Sequence, residues 1–329
     1  MRRRDLLATG SALIGTAMLG ITPSRATGTG NIFVSTEKGN EVVVLDKDYT
    51  VINRIATSRR PRDMHFTKDR TLLYVACGDD DAIDVIDVAT QTVIDSIPTG
   101  PSPEMFEFSE DESIVFVSDE EDSRIEAIDL QSRISTMDIP TGAEPEGILV
   151  VPGGKTVYAT SEVADMVHVV DLEKQAVVKN IVVGTRPRRL ILTPDGKQLW
   201  VSCELSSEIY VIDTETYKFV VDSLILVPQG FREEDVTPVG MAITKDGSKI
   251  LASLGRANHV AVIDTKSYQV IKYVLVGSRV WSVDLSSDEK IAIAANGLSD
   301  DITIINMETL EAVKSVPVGR VPHTVLIDD

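Results

Sequence analysis

Arg60 and Arg62 flank Pro61, Arg186 and Arg188 flank Pro187, and Arg279 precedes Val280, so guanidinium groups recur around one kind of position in an otherwise acidic chain. Arginines gathered in this way clamp a carboxylate or phosphate through paired hydrogen bonds. They equally suit mutual salt bridges with Glu104, Glu144 and Glu146. Trp281 and His323 hold the equivalent places after Val280 and Pro322, as a stacking wall for a ligand or as packing residues. His65, Glu107 and Asp284 share a second recurrent place. An imidazole beside a carboxylate does acid–base work, or forms a satisfied structural pair. With only His65, His168, His259 and His323 available, no nucleophilic triad and no metal-ligand cluster stands out. The sequences G-x-S-x-G and H-E-x-x-H and a phosphate-binding glycine loop are absent.

Composition narrows the setting of these residues. The chain has 329 residues, 43% hydrophobic and 25% charged, enough apolar material for a large folded core. Its 32 Lys+Arg against 51 Asp+Glu give a net charge of −19. That balance argues against nucleic acid and anionic membrane surfaces as partners. Two cysteines build neither a disulfide framework nor a thiolate zinc site.

The elements that must position the candidates follow from an internal repeat. Segments beginning at Pro61, Pro103, Pro145, Pro187, Pro238, Val280 and Pro322 align, with spacings of 42, 42, 42, 51, 42 and 42 residues. Counting from each of these landmarks, an apolar residue followed by Asp or Asn recurs at position 26, as Asp87, Asp129, Asp171, Asp213, Asp264 and Asn306. Each unit reads as four short β-branched strands, with Asp-Gly hairpins such as Pro194-Asp195-Gly196-Lys197. Four strands in about 40 residues is the signature of a β-propeller blade. The first unit lacks an inner strand before Ile32-Phe33-Val34, and Pro322–Asp329 is an inner strand with nothing after it. Joined, they complete a seventh blade and remove the open sheet edges. The expected fold is therefore all-β, a single seven-bladed propeller over residues 27–329, four antiparallel strands per blade, with the chain ends sharing one blade.

Residues 1–26 read as an export signal that is removed. Arg3-Arg4-Asp5-Leu6-Leu7 resembles a twin-arginine start, an apolar stretch runs to Ile21, and Ser24-Arg25-Ala26 resembles a cleavage site. The expected location is periplasmic or otherwise exported, with no membrane span in the mature chain.

Tyr74-Val75-Ala76, the Pro-Asp-Gly turn and the Val-Ile-Asp-Thr run of strand three resemble the YVTN family of β-propeller repeats, over essentially residues 31–329. Seven such units behind an export signal are similar to the β-propeller proteins associated with PQQ-dependent catabolism of alcohols. The resemblance implies a non-enzymatic accessory protein and makes PQQ, a quinoprotein or a transport component the ligand or partner to look for.

The expectation is thus an exported binding propeller whose mouth (Arg60, Arg62, Arg186, Arg188, Arg279, Trp281, His323) takes an anionic small molecule or a periplasmic protein. The alternatives are a propeller enzyme such as a lactonase, drawing on His65, Glu107 and Asp284, and an interaction scaffold. The scaffold would use the acidic loops Gly78–Asp81 and Ser118–Asp122, which suit a basic partner such as a cytochrome, a hard cation or plain solvent. The long loop 226–237, which breaks the period, is expected on the same face. Cys77 and Cys203 fall three blades apart, too far for a disulfide.

Overall fold

The structure, a computed structural model, describes residues 28–329, so the expected export signal lies outside the described residues. Each repeat folds as the sequence pattern demands. Second and third strands are near-continuous apolar runs, as in Leu72–Cys77 and Ala82–Asp87, because both of their faces are buried between neighbouring sheets. Fourth strands such as Thr92–Pro98 lie outermost and bury only Ile97. The result is seven four-stranded antiparallel sheets. We number the blades 1 to 7, blade 2 beginning at Pro61 and blade 7 at Val280.

Blade 1 closes the ring. Its inner strand, Pro322–Asp328, pairs antiparallel with Asn31–Thr36, placing Ile32 opposite Ile327 and Phe33 opposite Leu326. The core is divided among the interfaces between sheets. Phe33, Val42 and Val44 of blade 1 pack on Met64, Leu73, Val75 and Ile86 of blade 2. Trp200 of blade 5, fully buried, packs on Ile250 and Ala252 of blade 6. Cys77 and Cys203 are free, buried, and belong to separate clusters, as expected from their spacing. Among the described residues the helical content is one 3-10 turn, Glu233–Asp235, within the long loop of blade 5. That loop is packed: Leu226 and Val236 are buried, and Ser207 Oγ donates to the carbonyls of Glu233 (2.5 Å) and Val236 (2.8 Å).

One irregularity of the inner strands governs the channel. In blade 2, Pro61 faces Cys77 and Met64 faces Val75, so Arg62 and Asp63 together oppose Ala76. The same bulge recurs in blades 3, 4 and 5. A bulge re-aims side chains. It lets the first residue after the landmark face the channel near one end, while the second and fourth face it further along.

Candidate functional site

Two repeating tethers set the mouth. The residue before each inner strand is left-handed in six blades, with φ from 53° at Glu144 to 60° at Arg60. Five of these residues donate their N–H to an Asn or Asp side chain of the preceding blade: Arg60 to Asn40, Ser102 to Asp81, Arg186 to Asp165, Arg279 to Asn258 and Val321 to Asp300, at 2.9–3.0 Å. Those Asn and Asp residues are themselves left-handed, a backbone state they tolerate better than most. The second tether is a hydroxyl from the end of strand two. Ser35, Ser118, Thr160, Ser202 and Ser253 donate to the carbonyls of Arg62, Glu146, Arg188, Val239 and Trp281 in the next blade, at 2.7–3.1 Å.

Arg62, Glu146 and Arg188, held by these hydroxyls, form an ion-paired layer within the channel. Arg62 pairs with Glu104 and reaches Glu146 at 4.0 Å. Arg188 contacts Glu146 at 3.2 Å and pairs with Glu162. Arg62 also donates to His323 Nε2 from Nε at 3.3 Å and lies 3.2 Å away through Nη2. Trp281 and His323 stack on each other with centroids 5.6 Å apart. Arg62, Glu104, Glu146, Arg188 and His323 are all buried. Burial, together with the facing Arg62, holds His323 well below the usual imidazole range, so it is neutral and accepts from the guanidinium.

Above this layer sits the second rank of arginines. Arg60 binds Glu104 at 2.8 Å, Arg186 binds Glu162 (2.7 Å) and Glu204 (3.2 Å), and Arg279 binds Glu204 at 2.9 Å. The expected carboxylate partners Glu104 and Glu146 are present, whereas Glu144 makes no ion pair among the described residues. Glu162 and Glu204, at the end of strand two, were missed. Their signal is a glutamate at position 17 of the repeat, in Glu37, Glu120, Glu162 and Glu204. Burial and the neighbouring Glu146 and Glu204 push the Glu162 carboxyl up to about 7. Burial would do the same to Glu146, but Arg188, Arg189 and Arg62 outweigh it and hold it far below the usual range. Arg60, Arg62, Arg186, Arg188, Arg279 and Trp281 line a cavity of about 400 Å³ on this upper side.

The expected acid–base residues lie elsewhere. His65 and Asp284 line a second cavity, of about 430 Å³, with Asp63, Arg189 and the apolar Ile191, Ala242 and Leu326. It also reaches Lys245, Ser287 and Glu289 in the hairpin turns of the opposite face. None of the layer residues named above borders it. His65 pairs through Nε2 with Asp63 Oδ2 at 3.0 Å, rather than with Glu107 as its neighbouring blade had suggested. Its ring meets Phe106 edge-on at 4.9 Å. Burial alone would lower the His65 pKa, but Asp63 and Glu107 reverse this and raise it to about 9. Burial raises Glu107, and His65 partly offsets it. Asp284 accepts from the Ile327 N–H of blade 1 at 3.0 Å, and burial raises it to about 6. Asp63 and Arg189 were missed, since only the bulge brings the second residue of the strand into the channel.

The acidic loops are largely occupied within the protein. Asp80 binds Arg59 at 2.6 Å, Arg124 binds Asp119 (2.9 Å) and Asp122 (3.3 Å), and Asp81 serves as a tether. Among the described residues no group of three or more His, Cys, Asp or Glu is arranged to hold a metal ion.

Comparison with known proteins places this architecture. Residues 13–195 match the YNCE-like β-propeller family, and residues 148–327 match the family of seven-bladed β-propeller lactonases. No curated protein sequence matches. Among solved structures, hydrazine synthase of Kuenenia stuttgartiensis is similar at TM-score 0.77 and 22% identity, over 90% of this chain and 99% of that one. The periplasmic gluconolactonase of Pseudomonas aeruginosa is similar at TM-score 0.76 and 18% identity, over 91% and 99%. A putative 6-phosphogluconolactonase of Bacteroides uniformis follows at 0.73 and 15%, over 90% and 98%. At such identities these likenesses establish the fold. The lactonase match overturns the expectation of a non-enzymatic accessory protein tied to PQQ-dependent oxidation. That expectation rested on the blade repeat, which encodes strand packing and carries no information about chemistry in the channel. The chain belongs to the YNCE-like β-propellers and, through its C-terminal half, to the seven-bladed β-propeller lactonases.

Proposed function

We propose that this protein hydrolyses a lactone, opening a cyclic ester of the sugar-acid type in the lower cavity. The observation that carries the reading is the lactonase match over residues 148–327, which includes Asp284 and Arg189. The cavity supports it on two counts. Its volume of about 430 Å³ suits a small ligand, and apolar walls face a few polar groups. Two of its titratable groups are pushed apart, Asp284 to about 6 and His65 to about 9, the pattern that separates a base from an acid at neutral pH.

The roles follow. At pH 7 Asp284 is largely ionised and takes a proton from a water as its oxygen attacks the lactone carbonyl carbon. His65 is an imidazolium whose Nε2–H is held by Asp63, which leaves Nδ1–H for the oxyanion that develops. Collapse breaks the ring C–O bond, and the proton held by Asp284 passes to the departing alkoxide. The product is the open hydroxy acid. The neighbours named as a gluconolactonase and a 6-phosphogluconolactonase support this substrate class, and the periplasmic one agrees with reading residues 1–26 as an export signal. No helix among the described residues is long and apolar enough to cross a membrane.

The test is proton release from gluconolactone by the purified protein above the spontaneous rate. Asp284→Asn and His65→Asn should each lower kcat/KM about 10²–10⁴-fold. Absence of lactone opening, or full activity in both variants, overturns the reading.

A further inference from the structure

We infer that the upper face carries a separate site for a small organic carboxylate, in the gap where the ring of glutamates lapses over blades 6 and 7. Position 17 of the repeat is Glu37, Glu120, Glu162 and Glu204 in four blades, and Gly78, Gly255 and Gly297 in the others. In blade 2 the Arg60 side chain covers the glycine, its Nη1 lying 2.8 Å from where a Cβ would be. In blades 6 and 7 no carboxylate takes the place. A Cβ on Gly297 would stand 2.4 Å from Trp281 Nε1, and one on Gly255, at φ +44°, 2.0 Å from Thr237 Oγ1. These two positions therefore exclude the side chain that the ring carries elsewhere.

What the gap leaves is a cavity of about 670 Å³, lined by Arg256, Asn258, Ser278, Arg279, Trp281 and Leu298. Arg256, Arg279 and Trp281 also border the arginine–glutamate cavity beside it. Among the described residues no carboxylate lies within 4 Å of the Arg256 guanidinium. Asp235 acts on it only at longer range and is held by Arg232 at 2.9 and 3.1 Å. Arg279 is bound to Glu204 and lies 4.4 Å above the Trp281 ring, so it is fixed in place. Burial and the nearby positive Arg256 and Arg188 weaken its hold on its proton, despite Glu204. The Trp281 Nε1–H has no hydrogen-bond partner among the described residues, and Leu298 is 73% exposed.

A ligand carboxylate here takes the place of the missing glutamate, bridging Arg256 and Arg279. Its organic body rests against Leu298 and the edge of Trp281. One guanidinium lacks a counter-charge, which matches a singly charged carboxylate better than a dianionic phosphate. This site shares no lining residue with the cavity of His65 and Asp284, so it stands independently of the hydrolytic reading.

The probes are gluconate, acetate and inorganic phosphate, titrated calorimetrically without lactone and followed in parallel by tryptophan emission. Trp200 is fully buried and supplies a constant background, so a change reports Trp281. Gluconate should bind saturably, more tightly than acetate or phosphate, and lose affinity as salt is added. Arg256→Gln removes an exposed side chain with no ion-pair partner, and should weaken gluconate at least tenfold with the melting temperature unchanged. No saturable binding, undiminished affinity in Arg256→Gln, or tighter binding of phosphate overturns the assignment.

Discussion

Arg62 of blade 2 and Glu146 of blade 4 meet across the channel axis at 4.0 Å, with the intervening blade contributing Glu104 to the same arginine. Contacts that skip a blade tie non-neighbouring sheets together. The cavity at the Arg–Glu mouth and the one holding His65 and Asp284 have no lining residue in common. An arginine-rich mouth need not be the entrance to the acid–base residues.

The layer depends on Arg188, which is buried among Glu146, Glu162 and Glu204. Arg188→Ala leaves these carboxylates crowded and short of a cation. The expected loss is about 3–5 kcal/mol, the range for breaking a buried pair by removing one partner. A urea titration that shows the same midpoint as the parent protein would contradict this.

Activity should follow a bell in pH. Asp284 must lose its proton to act as base, so the rate rises as pH passes about 6. His65 must keep its proton to face the oxyanion, so the rate falls as pH passes about 9. A kcat/KM profile on a hydrolytically stable lactone checks both limbs. In Asp284→Asn the residual activity should lose the acid limb, and in His65→Asn the alkaline one.

The fold was legible because the blade repeat is written in strand chemistry, and the landmark prolines, the Asp of strand three and the terminal half-blades each have a packing reason. The site was legible only in part. The landmark arginines announced themselves by type, but their partners Glu162 and Glu204 sit at the far end of strand two, a different column of the repeat. Strict alternation cannot put Arg62, Asp63 and His65 all against the channel. The bulge opposite Ala76 does, and nothing in the local sequence marks it.

Stability should respond to His65 as well. In the unfolded chain the imidazole loses its proton near 6.5, while in the folded protein it keeps it to about 9. The stabilisation is therefore complete below pH 6.5 and is lost as pH rises through about 9. The difference in urea midpoint between the parent protein and His65→Asn should shrink over that window. A difference independent of pH would mean that His65 is neutral in the fold.

The last strand carries the closure of the ring, and Asp328 is its anchor. Its side chain is 1% exposed, accepts from Thr29 N (2.8 Å) and Oγ1 (2.6 Å), and binds Arg70 Nε of blade 2 at 2.6 Å. Three partners from blade 1 and its neighbour thus converge on one carboxylate. Asp328→Ala should cost about 1.5–3 kcal/mol, the scale of hydrogen bonds to a charged group. Removal of residues 322–329 goes further, because it strips Ile32 and Phe33 of their cross-strand partners and exposes a free edge on Asn31–Thr36. The truncated chain should melt far lower than Asp328→Ala and aggregate on heating. If thermal denaturation found the two equally stable, the terminal strand would not be what holds the ring shut.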